Sequence, residues 1–328
     1  FMGDLSRKMP SGSDFEAFLD VGMEGLNFAH VKGVTRYHTM LDDTRHLDKR
    51  TLQHHGEYAF KLARHFGNLP LDQVSAPDAV FFNPLGSLMM VYPVTWVWPL
   101  NIVALLAALA ACIAAVRRKA TTLGQIVAGA SVWLLAVLAV TAFCVVFVAV
   151  GFLLRGPYVV YGGGWNALAL TLLMFGVSCA VLAKPGLTTS RCAAALCVWA
   201  VCTVIVSLVS PGASFLFTWP LLGGALGLAV IVLAPDGRVG IGTTFALIVS
   251  ALPGVCLWTA SAWGPLPALT VVFWPGVVLA LMLFMGLLTP HLACAFSQMR
   301  GRLLAGTCIL AVLLFVIGAL NAGFTREH

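Results

Sequence analysis

Long apolar runs separated by short polar connections fill the chain beyond about residue 95. Eight runs have the roughly 20 residues that a helix needs to cross a hydrocarbon core of about 30 Å. They lie near 97–116, 125–154, 165–183, 192–210, 214–234, 241–262, 268–289 and 303–322. The second run is longer than required, which predicts a tilted or partly interfacial helix. The pattern predicts an all-α, polytopic membrane domain of about eight transmembrane helices.

The beginning of the chain has a different pattern, typical of a soluble α/β domain. Ser13 and Glu16 have the spacing of a capping box, and the apolar positions that follow share one helical face. We therefore predict a helix over 13–21 that ends at Gly22. The apolar residues of 25–31 predict a largely buried strand.

A long polar loop over 32–48 follows the predicted strand, and loops of this length within a compact domain are often functional. Apolar residues at helical spacing then predict a second helix over 49–66. Asp48 is suited to be its N-cap and Gly67 its C-cap.

Charged residues divide the chain at the same place. The chain is 60% apolar and 10% charged, whereas soluble domains usually carry about 25% charged residues. Residues 1–100 hold 11 of the 13 acidic residues, and the rest of the chain holds two. We expect a soluble domain over 1–92 and a multi-pass membrane domain over 93–328.

Basic residues predict the orientation of the membrane domain. Alternate connections hold Arg117, Arg118, Lys119, Lys184, Arg191, Arg238, Arg300 and Arg302, whereas the opposite side holds Arg155 and Arg326. By the positive-inside rule the first group faces the cytoplasm. Eight spans then place the soluble domain and the C-terminus in the periplasm, a lumen or the exterior. Because membrane topology accounts for these bases, the net charge of +6 does not indicate nucleic-acid binding.

The interiors of the predicted spans contain almost no ionisable side chains, which pumps and ion-coupled carriers usually need. This favours an anchor, or a structure that shapes access to the soluble domain, over a transporter. All nine cysteines lie in or beside apolar runs, so we interpret them as small buried residues rather than as a disulfide framework.

The polar loop contains Tyr37-His38-Thr39 followed by Leu41-Asp42. The neighbouring sequence has further matching positions at 12–15, 22–29 and 52–56. Together they resemble the end of the zinc aminopeptidase domain of family M28. The closer likeness is to its membrane-bound branch, the vacuolar membrane protease and endoplasmic reticulum metallopeptidase type. There, too, a multi-span region follows the peptidase domain, and the likeness in residues covers roughly 1–92.

The resemblance implies an α/β zinc-exopeptidase fold that binds one or two Zn²⁺ ions. It makes His38 the last zinc ligand, Tyr37 a donor to the oxyanion and Asp14 a supporting acid at the active site. Asp14 is equally explained as a first-turn acid of its helix. Asp42 or Asp43 would orient the His38 ring or, equally, cap turns in the loop.

The other family ligands and the general-base glutamate would lie upstream of this chain. We therefore expect a C-terminal portion of a longer protein that is inactive alone. The implied reaction is hydrolysis of a peptide bond by a zinc-bound hydroxide, removing N-terminal residues. The expected partners are a peptide or protein substrate and the lipid bilayer, but no nucleic acid.

Two alternatives remain at this point. One is a non-catalytic transporter or scaffold that retains a degenerate peptidase remnant. The other keeps the zinc fold but performs acyl transfer, such as glutaminyl cyclisation. A tryptophan in place of Tyr37 would favour that second alternative.

Overall fold

The computed structural model describes residues 14–23, 25–26, 28, 40, 42–70, 77–85, 88–155, 163–234, 240–263 and 274–324. The first elements are helix α1 (Asp14–Asp20), helix α2 (Lys49–Phe66), strand β1 (Ala79–Leu85) and strand β2 (Leu88–Pro93). The membrane region contains α3 (Val97–Arg117), α4 (Leu123–Arg155), α5 (Gly163–Leu182), α6 (Thr188–Val209), α7 (Phe215–Leu233), α8 (Ile241–Trp263), α9 (Trp274–Leu287), α10 (Thr289–Phe296) and α11 (Arg300–Phe324). Short 3-10 turns at Val94–Trp96 and Pro211–Ala213 precede α3 and α7.

Both helices predicted in the soluble segment are present. Helix α1 is followed by Gly22, whose φ of 76° is the left-handed conformation that glycine adopts without strain. The strand predicted over 25–31 is absent at Gly25, Leu26 and Phe28, and its other residues lie outside the described ones. A strand needs a hydrogen-bonded neighbour, and the described residues around it provide none.

The structure confirms the long apolar helices that the sequence pattern predicts for the membrane region. Seven helices in the described part of the chain are long and apolar enough to cross a membrane. The longest, α4, has 33 residues and extends about 50 Å, well beyond a core of about 30 Å, as its run length predicts.

The prediction of a single span over 268–289 was wrong in shape. Helix α9 has only 14 residues, equivalent to about 21 Å. It meets α10 at an angle of 72°. Pro290 lies in the first turn of α10, where a missing N–H is tolerated, and the Thr289 hydroxyl donates to the Gly286 carbonyl at 2.6 Å.

Contacts define two ends of the helix bundle. At the end that we call the hairpin end, α6 ends and α7 begins. At the end that we call the basic end, α3 and α5 finish and α6 and α11 begin. Near the hairpin end the Trp258 indole of α8 donates to the Leu216 carbonyl, whereas Arg300, which opens α11, donates to the Ala180 carbonyl at the basic end.

These contacts settle the path of the bent helix pair. Helix α8 leaves the bundle at the hairpin end and α11 starts at the basic end, so the chain between them crosses the bundle. The α9–α10 pair is therefore a broken span rather than a re-entrant loop. With the bent pair counted as one span, the described helices are long and apolar enough for eight crossings, the number that the apolar runs predict.

Proline and tryptophan explain how α6, α7 and α8 are joined. Pro220 lies inside α7 and has no N–H, so the Leu216 carbonyl loses its usual helical partner. The Trp258 indole donates to that carbonyl at 2.8 Å. The Trp199 indole of α6 donates to the adjacent Phe217 carbonyl at 2.9 Å. Neighbouring spans thus satisfy polar groups that a proline leaves exposed in a bilayer.

An antiparallel hairpin, which the apolar pattern did not predict, covers the hairpin end. Val80 pairs with Tyr92, and Phe82 pairs with Met90. Alternate β1 residues face the bundle: Val80 is 1% exposed and Phe82 is 7% exposed. The Phe82 ring stacks on Phe215 of α7 with centroids 4.3 Å apart. The hairpin therefore packs on the membrane domain, although it lies mostly within the predicted soluble domain.

Replacing Phe82 with leucine is expected to loosen this contact. The loss of ring stacking should cost about 1.4 kcal/mol, a tenfold increase in hairpin opening. Hydrogen exchange of the β1 and β2 amides measures it directly. Phe81→Leu is the matched control because Phe81 is 59% exposed on the other face of the same strand. Equal exchange in both variants would contradict the docking of the hairpin through Phe82.

Candidate functional site

The structure does not describe the side chains of the three residues that the resemblance assigns to the active site. Tyr37 and His38 are outside the described residues. Asp14 is the first residue of α1, and only its backbone is described. Their assignments as oxyanion donor, zinc ligand and supporting acid stay predictions.

Asp43 organises the turn that connects the predicted loop to α2. Its carboxylate accepts hydrogen bonds from the Arg45 guanidinium at 2.6 and 3.0 Å, and from the His46 ring at 2.7 Å. The backbone N–H groups of Arg45 and His46 also donate to it. The bonds from Arg45 contribute most to lowering the pKa of this carboxyl group below its usual value. Of the two roles considered for Asp43, the structure supports the turn cap.

Asp48 fixes the start of α2 as predicted. Its side chain accepts from the Arg50 backbone N–H at 2.9 Å, and its carboxylate also pairs with the Arg50 guanidinium at 3.3 Å. The carboxylate raises the pKa of Arg50. At the other end Gly67 donates its N–H to the Ala63 carbonyl. Because both ends are capped, α2 gives the preceding loop a fixed point of attachment.

Aromatic contacts join α2 to the segment that follows α1. The Tyr58 ring stacks on Phe28 with centroids 5.1 Å apart. The His54 ring lies 4.2 Å from the Tyr58 ring, measured between centroids. His55 approaches Tyr58 less closely, at 6.3 Å. These contacts agree with the interpretation of the two adjacent histidines as packing and surface residues.

The apolar face of α2 is only partly covered by the described residues. None of its side chains is buried, and Leu52 and Phe60 are 54% and 68% exposed. Leu62 and His55 are half-buried. An amphipathic helix of this kind normally buries its apolar face against a further layer of structure.

No group of three or more metal-ligating side chains occurs among the described residues. The described part of the chain therefore supplies no complete zinc site.

The membrane region holds a polar cluster that sequence analysis missed. Asn101 of α3 donates to Ser207 of α6 at 2.8 Å and accepts from Thr218 of α7 at 2.5 Å. All three side chains are buried. Small polar residues at contacts between spans are the available signal, and here they join three helices.

His291 stabilises the bend between α9 and α10. Its Nε2 lies 2.8 Å from the Leu247 carbonyl of α8, so this nitrogen carries the proton. The Ser250 hydroxyl lies 3.4 Å from the same nitrogen. The histidine thereby attaches the broken span to α8, which is a structural role.

Comparison with known proteins adds one finding to this picture of a polytopic helical membrane protein with a polar N-terminal segment. Residues 4–63 match the family model described as Peptidase family M28. The match contains Asp14, Tyr37 and His38, and it ends within α2 before the hairpin. The chain matches no curated protein and no solved structure.

Proposed function

We propose that this chain is part of a membrane-anchored, zinc-dependent M28-type peptidase that removes N-terminal residues from peptides or proteins. The observation that carries the proposal is the match of residues 4–63 to this peptidase family, with Tyr37-His38-Thr39 inside the matched segment. The match supports a peptidase-type function. The apolar helices support a membrane location.

His38 is proposed as a zinc ligand, completed by residues upstream in a longer protein of the vacuolar or endoplasmic reticulum membrane type. Neutral imidazole is a good zinc ligand, and zinc supplies Lewis-acid polarisation and acidifies a water molecule. Tyr37 donates a hydrogen bond to the developing oxyanion. Asp14 supports the active site, and the uncovered face of α2 packs against the remainder of the peptidase domain.

The basic end is proposed to face the cytoplasm. Arg117, Lys184 and Arg300 lie there, and the positive-inside rule places such clusters on the cytoplasmic side. The hairpin, the M28 segment and the C-terminus then lie on the extracytoplasmic side. Only 12 residues, 67–78, separate α2 from the hairpin, so the peptidase segment stays close to this surface.

Zinc content tests the proposal in the purified full-length protein. We expect about one or two equivalents of zinc, falling clearly in His38→Ala. His65→Ala is the matched control, because His65 is an exposed histidine on α2. Elemental analysis of the three proteins, alongside release of an N-terminal amino acid from a short peptide, provides the readout.

Absence of zinc from the wild-type protein, or zinc content unchanged in His38→Ala, would reject the metallopeptidase assignment. The transporter or scaffold alternative would then be favoured. Zinc binding with cyclisation of N-terminal glutamine, but without release of amino acids, would instead favour acyl transfer.

A further inference from the structure

Positive charge is unbalanced at the basic end of the bundle. The described residues there include Arg117, Arg118, Lys119, Lys184, Arg191, Arg300 and Arg302. Within the described residues after Asp78 there is no aspartate or glutamate. These cations therefore have no carboxylate partner in the described membrane region.

Arg191 differs from the other basic residues because it is buried. It lies in the first turn of α6 with 7% of its surface exposed. Its Nη1 atom is fully enclosed and has no hydrogen-bond partner among the described residues. Helix α4 passes close over it at Gly129, where an added Cβ would lie 3.6 Å from the Arg191 Cα. Burying a guanidinium without an anionic partner costs free energy, and a bound anion would offset that cost.

Arg300 supplies a second guanidinium at the same end of the bundle. Its Nη1 donates to the Ala180 carbonyl, in the last turns of α5, at 3.2 Å. Arg300 opens α11 at the same end of the bundle at which Arg191 lies in the first turn of α6. One carbonyl uses only part of the five N–H donors of a guanidinium. Two guanidiniums with spare donors at one end of the bundle match the oxygens of a phosphate group.

An apolar groove lies deeper in the bundle than these two arginines. It lies between α4, α5 and α11 and has a volume of about 360 Å³. Its lining includes Val140, Phe143, Leu173, Val177, Cys308 and Phe315. Val177 is three residues before Ala180 on α5, and Cys308 is two helical turns beyond Arg300. Two of the helices that line the groove, α5 and α11, therefore lead from it to the basic end, where Arg300 contacts Ala180.

We propose that Arg191 and Arg300 bind the phosphate of an anionic phospholipid whose acyl chain occupies this groove. The cation pair provides charge complementarity to the headgroup, and the apolar groove fits a hydrocarbon chain but not a soluble phosphate compound. The location at the ends of membrane helices is the depth of lipid headgroups. This site is independent of the proposed peptidase function.

Lipid binding to the delipidated full-length protein in neutral detergent tests the proposal. We expect palmitoyl-oleoyl phosphatidylglycerol to raise the thermal unfolding temperature, whereas palmitoyl-oleoyl phosphatidylcholine and inorganic phosphate leave it unchanged. Arg191→Gln should weaken the apparent affinity for phosphatidylglycerol at least about tenfold, from the loss of charge-assisted hydrogen bonds. Without lipid this variant should be no less stable than the wild type, because an unpaired buried charge is removed.

Three further variants separate the possible causes, and a fourth is held in reserve. Arg117→Gln removes the same charge from an exposed position and should keep the affinity. Ala139→Phe fills the groove from an exposed position on its wall and should weaken lipid binding. Asp236→Asn, at a position outside the described residues, should leave both lipid binding and stability unchanged. Arg300→Gln replaces Arg191→Gln if the latter does not fold.

Several outcomes would overturn the assignment. Equal affinity loss in Arg117→Gln and Arg191→Gln would indicate diffuse electrostatic attraction. Stabilisation by inorganic phosphate with no effect of Ala139→Phe would indicate a soluble anion. A loss of stability in lipid-free Asp236→Asn that matches Arg191→Gln would make Asp236 the partner of Arg191.

Discussion

Replacing Tyr37 with phenylalanine is expected to lower kcat about 10²- to 10³-fold, the usual cost of removing one oxyanion donor. The substitution removes only a hydroxyl group, so zinc content should stay at the wild-type level. KM should change little, because the lost hydrogen bond forms with charge that develops in the transition state. Release of an N-terminal amino acid by the full-length protein, measured over a range of peptide concentrations, separates the two constants.

Tyr58→Phe is the matched control for this experiment. Tyr58 lies on α2 and contacts Phe28 through its ring, so loss of its hydroxyl should leave kcat unchanged. A Tyr37→Phe variant with full zinc content and wild-type kcat would remove Tyr37 from the mechanism. A variant with reduced zinc would instead place Tyr37 in the support of the metal ligand.

Replacing Gly223 with alanine is expected to cost about 3 kcal/mol of the free energy of unfolding, at the upper end of overpacking substitutions. Gly223 and Gly227 both face α8 at Ser250, with the small-xxx-small spacing of closely packed membrane helices. A Cβ on Gly223 would clash with the Ser250 backbone carbonyl oxygen. A backbone oxygen cannot rotate away, so α7 and α8 must separate. Reversible unfolding in detergent micelles measures the cost.

Two other glycines make this a graded series. A Cβ on Gly224 would meet only the side-chain tips of Leu196 and Leu287 at 3.0 Å, so Gly224→Ala should cost about 1 kcal/mol. Gly306 lies within α11 with nothing within 4 Å of an added Cβ. Gly306→Ala should therefore gain about 0.5–1 kcal/mol of stability. Equal stability of the Gly223 and Gly306 variants would contradict the close α7–α8 contact.

Strong, repeated patterns in the sequence predicted the architecture well. Apolar runs of membrane length identified the crossings because a bilayer requires every backbone group to be satisfied within its own helix. Asp48 and Gly67 predicted the bounds of α2 because capping depends on neighbouring residues alone.

Features that depend on distant partners were not predictable in the same way. The bend at Leu288 results from Pro290 together with the contact of His291 with α8, 44 residues away in sequence. The hairpin depends on the Phe82–Phe215 contact, for which the strand sequence alone gives no signal. The burial of Arg191 depends on the close approach of α4 at Gly129.

The candidate catalytic residues differ from both groups. Tyr37, His38 and Asp14 were assigned from resemblance, and the match over residues 4–63 covers their positions without testing their roles. A metal site is assembled from residues far apart in sequence, so one loop predicts a ligand but not the site.

If the proposed function holds, the 12 residues between α2 and the docked hairpin would affect substrate choice. Fully extended, they span about 40 Å, so in the proposed function the M28-matching segment would act within a layer of that depth above the bilayer. In the proposed function this connection limits the distance from the membrane at which a substrate can be cleaved. A substrate whose free N-terminus lies close to the membrane would be present at high effective concentration and would be cleaved. A substrate whose N-terminus is held farther out by a folded domain would not be reached. Selection would then depend on height above the membrane as well as on sequence.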